Sequence, residues 1–162
     1  MKKVYLLIGS NVGNRTKHME KAHQMIESKV GKITNKSRIY ETEPWGEKDQ
    51  DDFLNQAIEV ESKLKPKAIM KQIAEIESFI GREETFKWGP REIDIDVLFY
   101  GDEMISEMDI TIPHAFIHER RFTLIPLNDI CPDQYHPIFG ATVKELLDMC
   151  EDESEVKLYS KG

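Results

Sequence analysis

Long apolar runs are missing from this chain. The longest, such as residues 4–8, fall far short of the roughly 20 residues that cross a bilayer, which excludes an integral membrane role. Cysteine is scarce too: Cys131 and Cys150 form no C-x-x-C pair and no set of four or six, so a disulfide scaffold is excluded and both read as buried or incidental thiols. Positive charge is outnumbered, 22 basic against 30 acidic residues for a net charge of -8, the wrong sign for gripping a nucleic-acid backbone by bulk electrostatics. Any basic cluster is the more informative for that, because it must attract an anion against the global field. Glycine and proline are few, 9 and 7, and no repeats occur, which excludes a disordered tail or a fibrous protein. The apolar stretch within residues 1–9 is too brief for a signal peptide and lacks a small-residue cleavage site, so a cytoplasmic location is expected. Among His18, His23, His114, His118 and His136 no H-E-x-x-H or other zinc pattern appears. The stretch 9–13 matches neither a P-loop nor G-x-G-x-x-G and reads as a turn.

What is present fits a globular α/β unit. At 162 residues one domain is expected, 1–162, with the charged end 151–162 as a frayed tail. Residues 2–8 form a short β-rich apolar run ended by Gly9. Met19, Ala22, Ile26 and Val30 then recur at helical spacing up to Gly31. Residues 32–40 alternate loosely and predict a second strand, and 53–61 a third, with Leu54, Gln56, Ile58 and Val60 on one face and Phe53, Asn55 and Ala57 on the other. Pro66 opens a second helix whose apolar face is Ile69, Ile73, Ile76 and Ile80. In residues 91–100, Ile93, Ile95, Val97 and Phe99 alternate with Glu92, Asp94 and Asp96. The order β-α-β-β-α-β predicts a ferredoxin-like α/β (α+β) sandwich, an antiparallel sheet with both helices on one face and the other free for chemistry, followed by C-terminal additions. These additions include a helix over 114–124 and a short last helix opened by a capping box of Thr142 and Glu145.

Four constellations carry possible chemistry. Asp94 and Asp96 stand at i and i+2 of a strand, two hard oxygen donors on one face, suited to divalent cations in phosphoryl-type transfer. Taken alone the pair reads more readily as the solvated face of an amphipathic strand, and the basic loop just upstream shifts that balance. Arg82, Lys87 and Arg91 flank Trp88, Gly89 and Pro90 just upstream, so cations that can fork onto phosphate oxygens adjoin the acidic pair, although Glu83, Glu84 and Glu92 could satisfy them as surface ion pairs. His114, next to Pro113, could cap the helix that follows and with Arg120 contact an anion; the plain alternative is a helix with a polar outer face. Phe53 and Asn55 could stack on a flat heterocycle and read its edge, or be an exposed ring and a structural amide.

Gly9-Ser10-Asn11, Tyr40-Glu41-Thr42-Glu43-Pro44, Asp52-Phe53-Leu54-Asn55, Trp88-Gly89-Pro90-Arg91-Glu92-Ile93-Asp94-Ile95-Asp96, Pro113-His114 and Glu119-Arg120-Arg121-Phe122 follow one another in order and spacing. In this the chain resembles the 6-hydroxymethyl-7,8-dihydropterin pyrophosphokinases of folate biosynthesis over nearly its whole length. The resemblance implies Mg-dependent transfer of pyrophosphate from ATP to the hydroxymethyl oxygen of the reduced pterin, with release of AMP. It implies that Asp94 and Asp96 hold two Mg2+ ions, that the catalytic residues Arg82 and Arg91 contact phosphates, that Trp88 belongs to a mobile catalytic loop, and that Glu77, Thr111, His114 and Arg120 contact ATP. The pterin is expected between Phe53 and Phe122, read by Asn55, with Thr42, Pro44 and Trp45 completing its pocket. Glu84 and Ala115 depart from the family's usual residues, which leads us to expect altered ATP affinity or rate with activity retained. A monomer with only small-molecule substrates, no nucleic acid and no membrane is the expectation. A non-catalytic ligand-binding module and a metal-dependent phosphohydrolase are the rival readings.

Overall fold

The apolar run near the start of the chain becomes the middle of a sheet. The structure is a computed structural model that describes residues 1–43, 52–81 and 92–159. In chain order the elements are β1 (Lys2–Ser10), α1 (Arg15–Lys29), β2 (Lys32–Lys36), β3 (Tyr40–Thr42), β4 (Phe53–Ser62), α2 (Pro66–Ile80), β5 (Asp94–Tyr100), β6 (Ile105–Glu107), β7 (Ile110–Ile112), α3 (Arg121–Ile130), β8 (Tyr135–His136), β9 (Ala141–Thr142), α4 (Val143–Met149) and β10 (Val156–Leu158). The main sheet runs β10-β3-β4-β1-β5, with β2 also on β4, and every pairing is antiparallel. Asn14 caps α1, its side-chain oxygen accepting from the Lys17 amide at 3.1 Å, and Pro66 sits at the start of α2. Met19, Ala22 and Ile26 of α1 and Ile69, Ile73 and Ile76 of α2 pack on Val4, Leu6, Ile8, Leu54, Ile58 and Val60. This is the ferredoxin-like α/β arrangement that the element order predicts.

The opposite face is not free along its whole length. Tyr5, Leu7, Ala57, Leu98 and Phe99 form a second core with Ile117, Leu124 and Leu127 of the helical additions and Val143 and Leu146 of α4. Phe99 belongs to this second core although strict alternation would send it with Val97 to the first. The cause is a register shift: Leu6 faces Val97 and Tyr5 faces Phe99, leaving Leu98 as an extra residue that reverses the alternation.

Three other expectations are corrected. Residues 32–40 form two strands, because the backbone breaks at Ser37: its hydroxyl accepts from the Ala57 amide at 2.9 Å, a place a strand carbonyl would otherwise take. The helix expected over 114–124 is a short 3-10 turn, Ile117–Glu119, followed by α3, separated by Arg120 in an extended conformation (φ -125, ψ 106). The end of the chain is not frayed through residue 159, because β10 hydrogen-bonds to the edge of β3 and Tyr159 packs against the first core. The capping box of Thr142 and Glu145 is present, Cys131 and Cys150 are both free, and no helix among the described residues is long and apolar enough to cross a membrane. Burial pushes the Cys131 thiol up to about 12, so it is an unreactive core group.

Two histidines, His136 buried and His23 half-buried, set an acid limit. Burial holds His23 and His136 below the ordinary 6.5, reinforced by Lys36 and His118 respectively and opposed at His23 by a 2.8 Å hydrogen bond to Gln56. Protonation is disfavoured only in the folded state, so their contribution to stability is complete above pH 6.5 and is lost as pH falls through the lowered values. Unfolding by urea should show stability declining between about pH 7 and pH 5, with a shallower decline in His23→Gln and His136→Gln. Ser37→Ala, which leaves the Ala57 amide buried without its acceptor, should cost about 1–3 kcal/mol in the same assay at neutral pH.

Candidate active site

Register builds the site before any side chain is considered. Asn55 lies opposite Gly9, and Gly9 lies opposite Asp94, so residues of β4, β1 and β5 form one cross-strand row; Tyr40 of β3 extends it. Directly paired residues share a face, and this is the face opposite Leu54, Ile8 and Ile95. Asp96, opposite Leu7, and Phe53, opposite Thr42, fall one step to either side on the same face. Thus the end of the sheet not covered by α3 and α4 displays an aromatic ring, an amide and two carboxylates over three adjacent strands.

Gly9 is the floor of this row. A Cβ there would lie 2.9 Å from Asn55 Oδ1 and 3.7 Å from Phe53 Cδ1, so the absent side chain leaves the groove between the amide and the acidic pair. Asn55 is only 4% exposed. Its Nδ2 donates to Thr42 Oγ1 at 3.0 Å, which directs Oδ1, an acceptor, towards Gly9. A hydrogen-bonded amide with one acceptor facing a groove is suited to reading the donor edge of a planar ring.

Asp94 and Asp96 are half-buried. Between them the Ile95 amide donates to Glu77 Oε2 at 2.8 Å, so α2 reaches the outer edge of β5 and holds the strand that carries the pair. Glu77, expected at ATP, therefore has its carboxylate engaged on the backbone of β5.

On the other side of the acidic pair lie two basic groups. Arg120 is buried, its guanidinium 4.7 Å from the Phe116 ring centroid and 5.4 Å from that of Phe122, which it brings into the site. Burial disfavours its charge, while Asp96 and Asp94 favour it, and the guanidinium stays cationic. His114 Nε2 stands 4.0 Å from Asp96 Oδ1, and its Nδ1 accepts from the Phe116 amide at 3.2 Å, which caps a local turn. Burial, then the charge of Arg120, holds His114 below its ordinary pKa, with Asp94 opposing. A neutral ring with Nδ1 as acceptor carries its proton on Nε2, facing the acidic pair. Thr111, exposed on β7, joins Asp96, His114, Phe116 and Met70 around a cleft of about 280 Å3 beside the pair.

The donor chemistry fits a hard divalent cation: two carboxylates, both partly exposed, on one face of a strand. Among the described residues no group of three or more His, Cys, Asp or Glu could enclose a metal ion. Two carboxylates and a shell completed by water and phosphate oxygens is the pattern Mg2+ favours.

Of the residues singled out from sequence, Asp94, Asp96, Asn55, Phe53, Thr42, His114, Arg120, Phe122 and Thr111 are connected here by register, contact or charge. Pro44, Trp45, Arg82, Trp88 and Arg91 lie outside the described residues. Two site residues were not foreseen. Gly9 interrupts an apolar strand, the usual mark of close approach, yet reads equally as the strand's end. Phe116 carries no signal at all, since its role arises from packing on Arg120.

Residues 5–132 match the protein family described as 7,8-dihydro-6-hydroxymethylpterin-pyrophosphokinase (HPPK). The chain is 41% identical over 145 residues to the 2-amino-4-hydroxy-6-hydroxymethyldihydropteridine pyrophosphokinase of Aquifex aeolicus, covering 90% of each chain. It is 39% identical over 148 residues to the enzyme of that name from Methylorubrum extorquens, covering 91% of this chain and 92% of the relative. Among solved structures it resembles wild-type HPPK-DHPS from Plasmodium falciparum with a TM-score of 0.76 at 20% identity, covering 92% of this chain and 43% of that one. At that identity the likeness bears on the fold alone.

The groove depends on the absence of a side chain at Gly9. Gly9→Ala should displace Asn55, cost about 1–3 kcal/mol of stability, and shift the side-chain amide resonances of Asn55 in an NMR spectrum. Resonances identical to wild type would show that the groove tolerates a methyl group.

Proposed function

The chain belongs to the 7,8-dihydro-6-hydroxymethylpterin-pyrophosphokinase family, and from that premise we propose that it transfers pyrophosphate from ATP to 6-hydroxymethyl-7,8-dihydropterin, releasing AMP, as a monomer in the cytoplasm. The observation that carries this reading is the row Asn55–Gly9–Asp94, which sets an amide suited to a heterocycle and a carboxylate pair suited to phosphate-bound cations on one face of adjacent strands.

The pterin stacks between Phe53 and Phe122, with Asn55 Oδ1 accepting from the ring's donor edge and Thr42 fixing the amide. Pro44 and Trp45, which follow β3 in the sequence, are assigned to the same pterin site by the family resemblance. The polyphosphate of ATP meets Arg120, the Nε2–H of His114 and Thr111, together with Arg82, Arg91 and Trp88 from the segment before β5. Glu77 serves ATP binding from behind, by holding β5 through Ile95. Asp94 and Asp96 would hold two Mg2+ ions, which when bound neutralise phosphate charge and so ease its attack by a hydroxyl.

In the reaction the hydroxymethyl oxygen forms a bond to the β-phosphorus and the bond from that phosphorus to the α,β-bridging oxygen breaks. AMP leaves with that oxygen, and the hydroxyl proton passes to a base, a role this reading gives to Asp96. The Phe53–Asn55 side fixes the nucleophile and the Arg120–His114 side fixes the electrophile. Most of the acceleration then comes from alignment and from charges already oriented.

Purified protein with Mg2+, ATP and the pterin, analysed by nucleotide chromatography, should yield AMP only when the pterin is present. Asp96→Ala should lower the rate by about a thousandfold or more, and chelation of the metal should abolish it. ADP as product would point to phosphohydrolase or ordinary kinase chemistry, and tight pterin binding without turnover to a binding module.

A further inference from the structure

The charged C-terminal segment touches both walls of the site. Asp152 Oδ2 accepts from the amide of Arg121 at 3.0 Å, the first residue of α3. The residue at that helix's N-cap, Arg120, supplies no side-chain cap of its own. The other oxygen of Asp152 is held by Ser154, through the amide at 2.9 Å and the hydroxyl at 2.5 Å, so the carboxylate is fixed in orientation. Farther along, Val156 pairs with Thr42, Lys157 with Glu41 and Leu158 with Tyr40, and the Tyr159 amide donates to Ile39 O at 2.9 Å. One short segment therefore binds the start of α3, with Arg120 at its N-cap and Phe122 in its first turn, and the strand that carries Thr42.

The first turn of a helix has amides without helical partners, and an arginine is a poor residue to cap them. A carboxylate brought in from elsewhere satisfies one amide and complements the helix dipole. Burial would raise the pKa of Asp152, but hydrogen bonds from Ser154 and Arg121 and the charge of Arg121 hold it below the ordinary carboxylate value, so it is ionised at neutral pH. The far end of α3 is anchored separately: Asp129 accepts from Arg38 at 3.0 Å and from Tyr40 Oη at 2.9 Å. With both ends tied to the β3 side, α3 stands at a set distance from Asn55 and the acidic pair.

We propose that Asp152 is a positioning residue: it acts through the Arg121 amide to hold the first turn of α3, and so sets where Arg120 and Phe122 stand relative to Asn55. What those walls enclose rests on the pyrophosphokinase reading above; the clamp itself does not. A cap that served only stability would lower the melting temperature and leave substrate affinity alone. A positioning residue changes KM, because sites of this kind need placement to a fraction of an ångström.

The test compares Asp152→Ala, Asp152→Asn and Ser154→Ala with wild type by steady-state kinetics, thermal unfolding and peptide-resolved amide exchange. In Asp152→Ala, KM for the pterin should rise about tenfold with kcat within about threefold, and deuterium uptake across residues 120–124 should quicken. Asp152→Asn, whose amide oxygen can still accept from Arg121, should recover part of the affinity. If Asp152→Ala does not fold, Ser154→Ala should show the same change at about two- to threefold. A wild-type KM in a folded Asp152→Ala, whatever its melting temperature, overturns the proposal. If the wild-type protein makes no AMP from the pterin, the functional reading fails, and exchange decides the clamp alone: unchanged uptake across 120–124 overturns it, faster uptake upholds it.

Discussion

The pairing of β1 with both of its neighbours is the constraint on which the site depends. A slip of one residue in either pairing would turn Asn55 or Asp94 to the face covered by α1 and α2. There a carboxylate would meet Leu6, Ile8 and Ile73 with no polar partner, at a cost of several kcal/mol. The apolar residues of β1 thus secure the position of polar ones on its other side, and Gly9 contributes to both by pairing on each flank without occupying the space above. The register shift at Leu98 serves the same end: it delivers Phe99 to the second core while Asp94 and Asp96 keep their orientation.

The site also resolves an electrostatic tension. The chain carries a net charge of -8, yet the reading above requires it to bind a polyanion. Arg120 is withdrawn from water beside two aromatic rings, where its field is less screened, and its own basicity keeps it charged although burial lowers its pKa more than the acidic pair raises it. His114 stays neutral beside it, as a donor that adds no repulsion. Local arrangement, not total charge, decides which ligands are accepted.

Much of this was legible in the residues. The alternation of residues 53–61 and the isoleucines of α2 gave the correct layers, and the spacing of Asp94 and Asp96 gave their common face. What escaped were features set by contacts distant in sequence. Ser37 breaks a strand because of Ala57, twenty residues on. Phe99 changes face because of a mismatch with β1 that no local pattern shows. The second layer over the sheet comes from helices whose own sequences do not say where they dock. The last strand looked like a solvated tail because three residues, one of them Lys157, are too short a run to show a period. At Glu77 the resemblance suggested a contact with ATP; that its carboxylate accepts from the Ile95 amide depends on how α2 packs on β5, which no local pattern shows.

The central place of β1 has a consequence for how the molecule assembles. It is made before both of its neighbours: Lys2 pairs with Ser62 and Val4 with Tyr100, so neither flank can be filled until those later segments have followed. Closing loops of that size before any pairing is rewarded slows folding. In the interval the stretch Val4–Ile8, continuous, apolar and rich in β-formers, has two open edges, the condition under which nascent chains associate with one another. The strand that organises the finished enzyme is thus also its exposed point during biogenesis, where a chaperone or a fast-forming β1–β4 pairing would matter most.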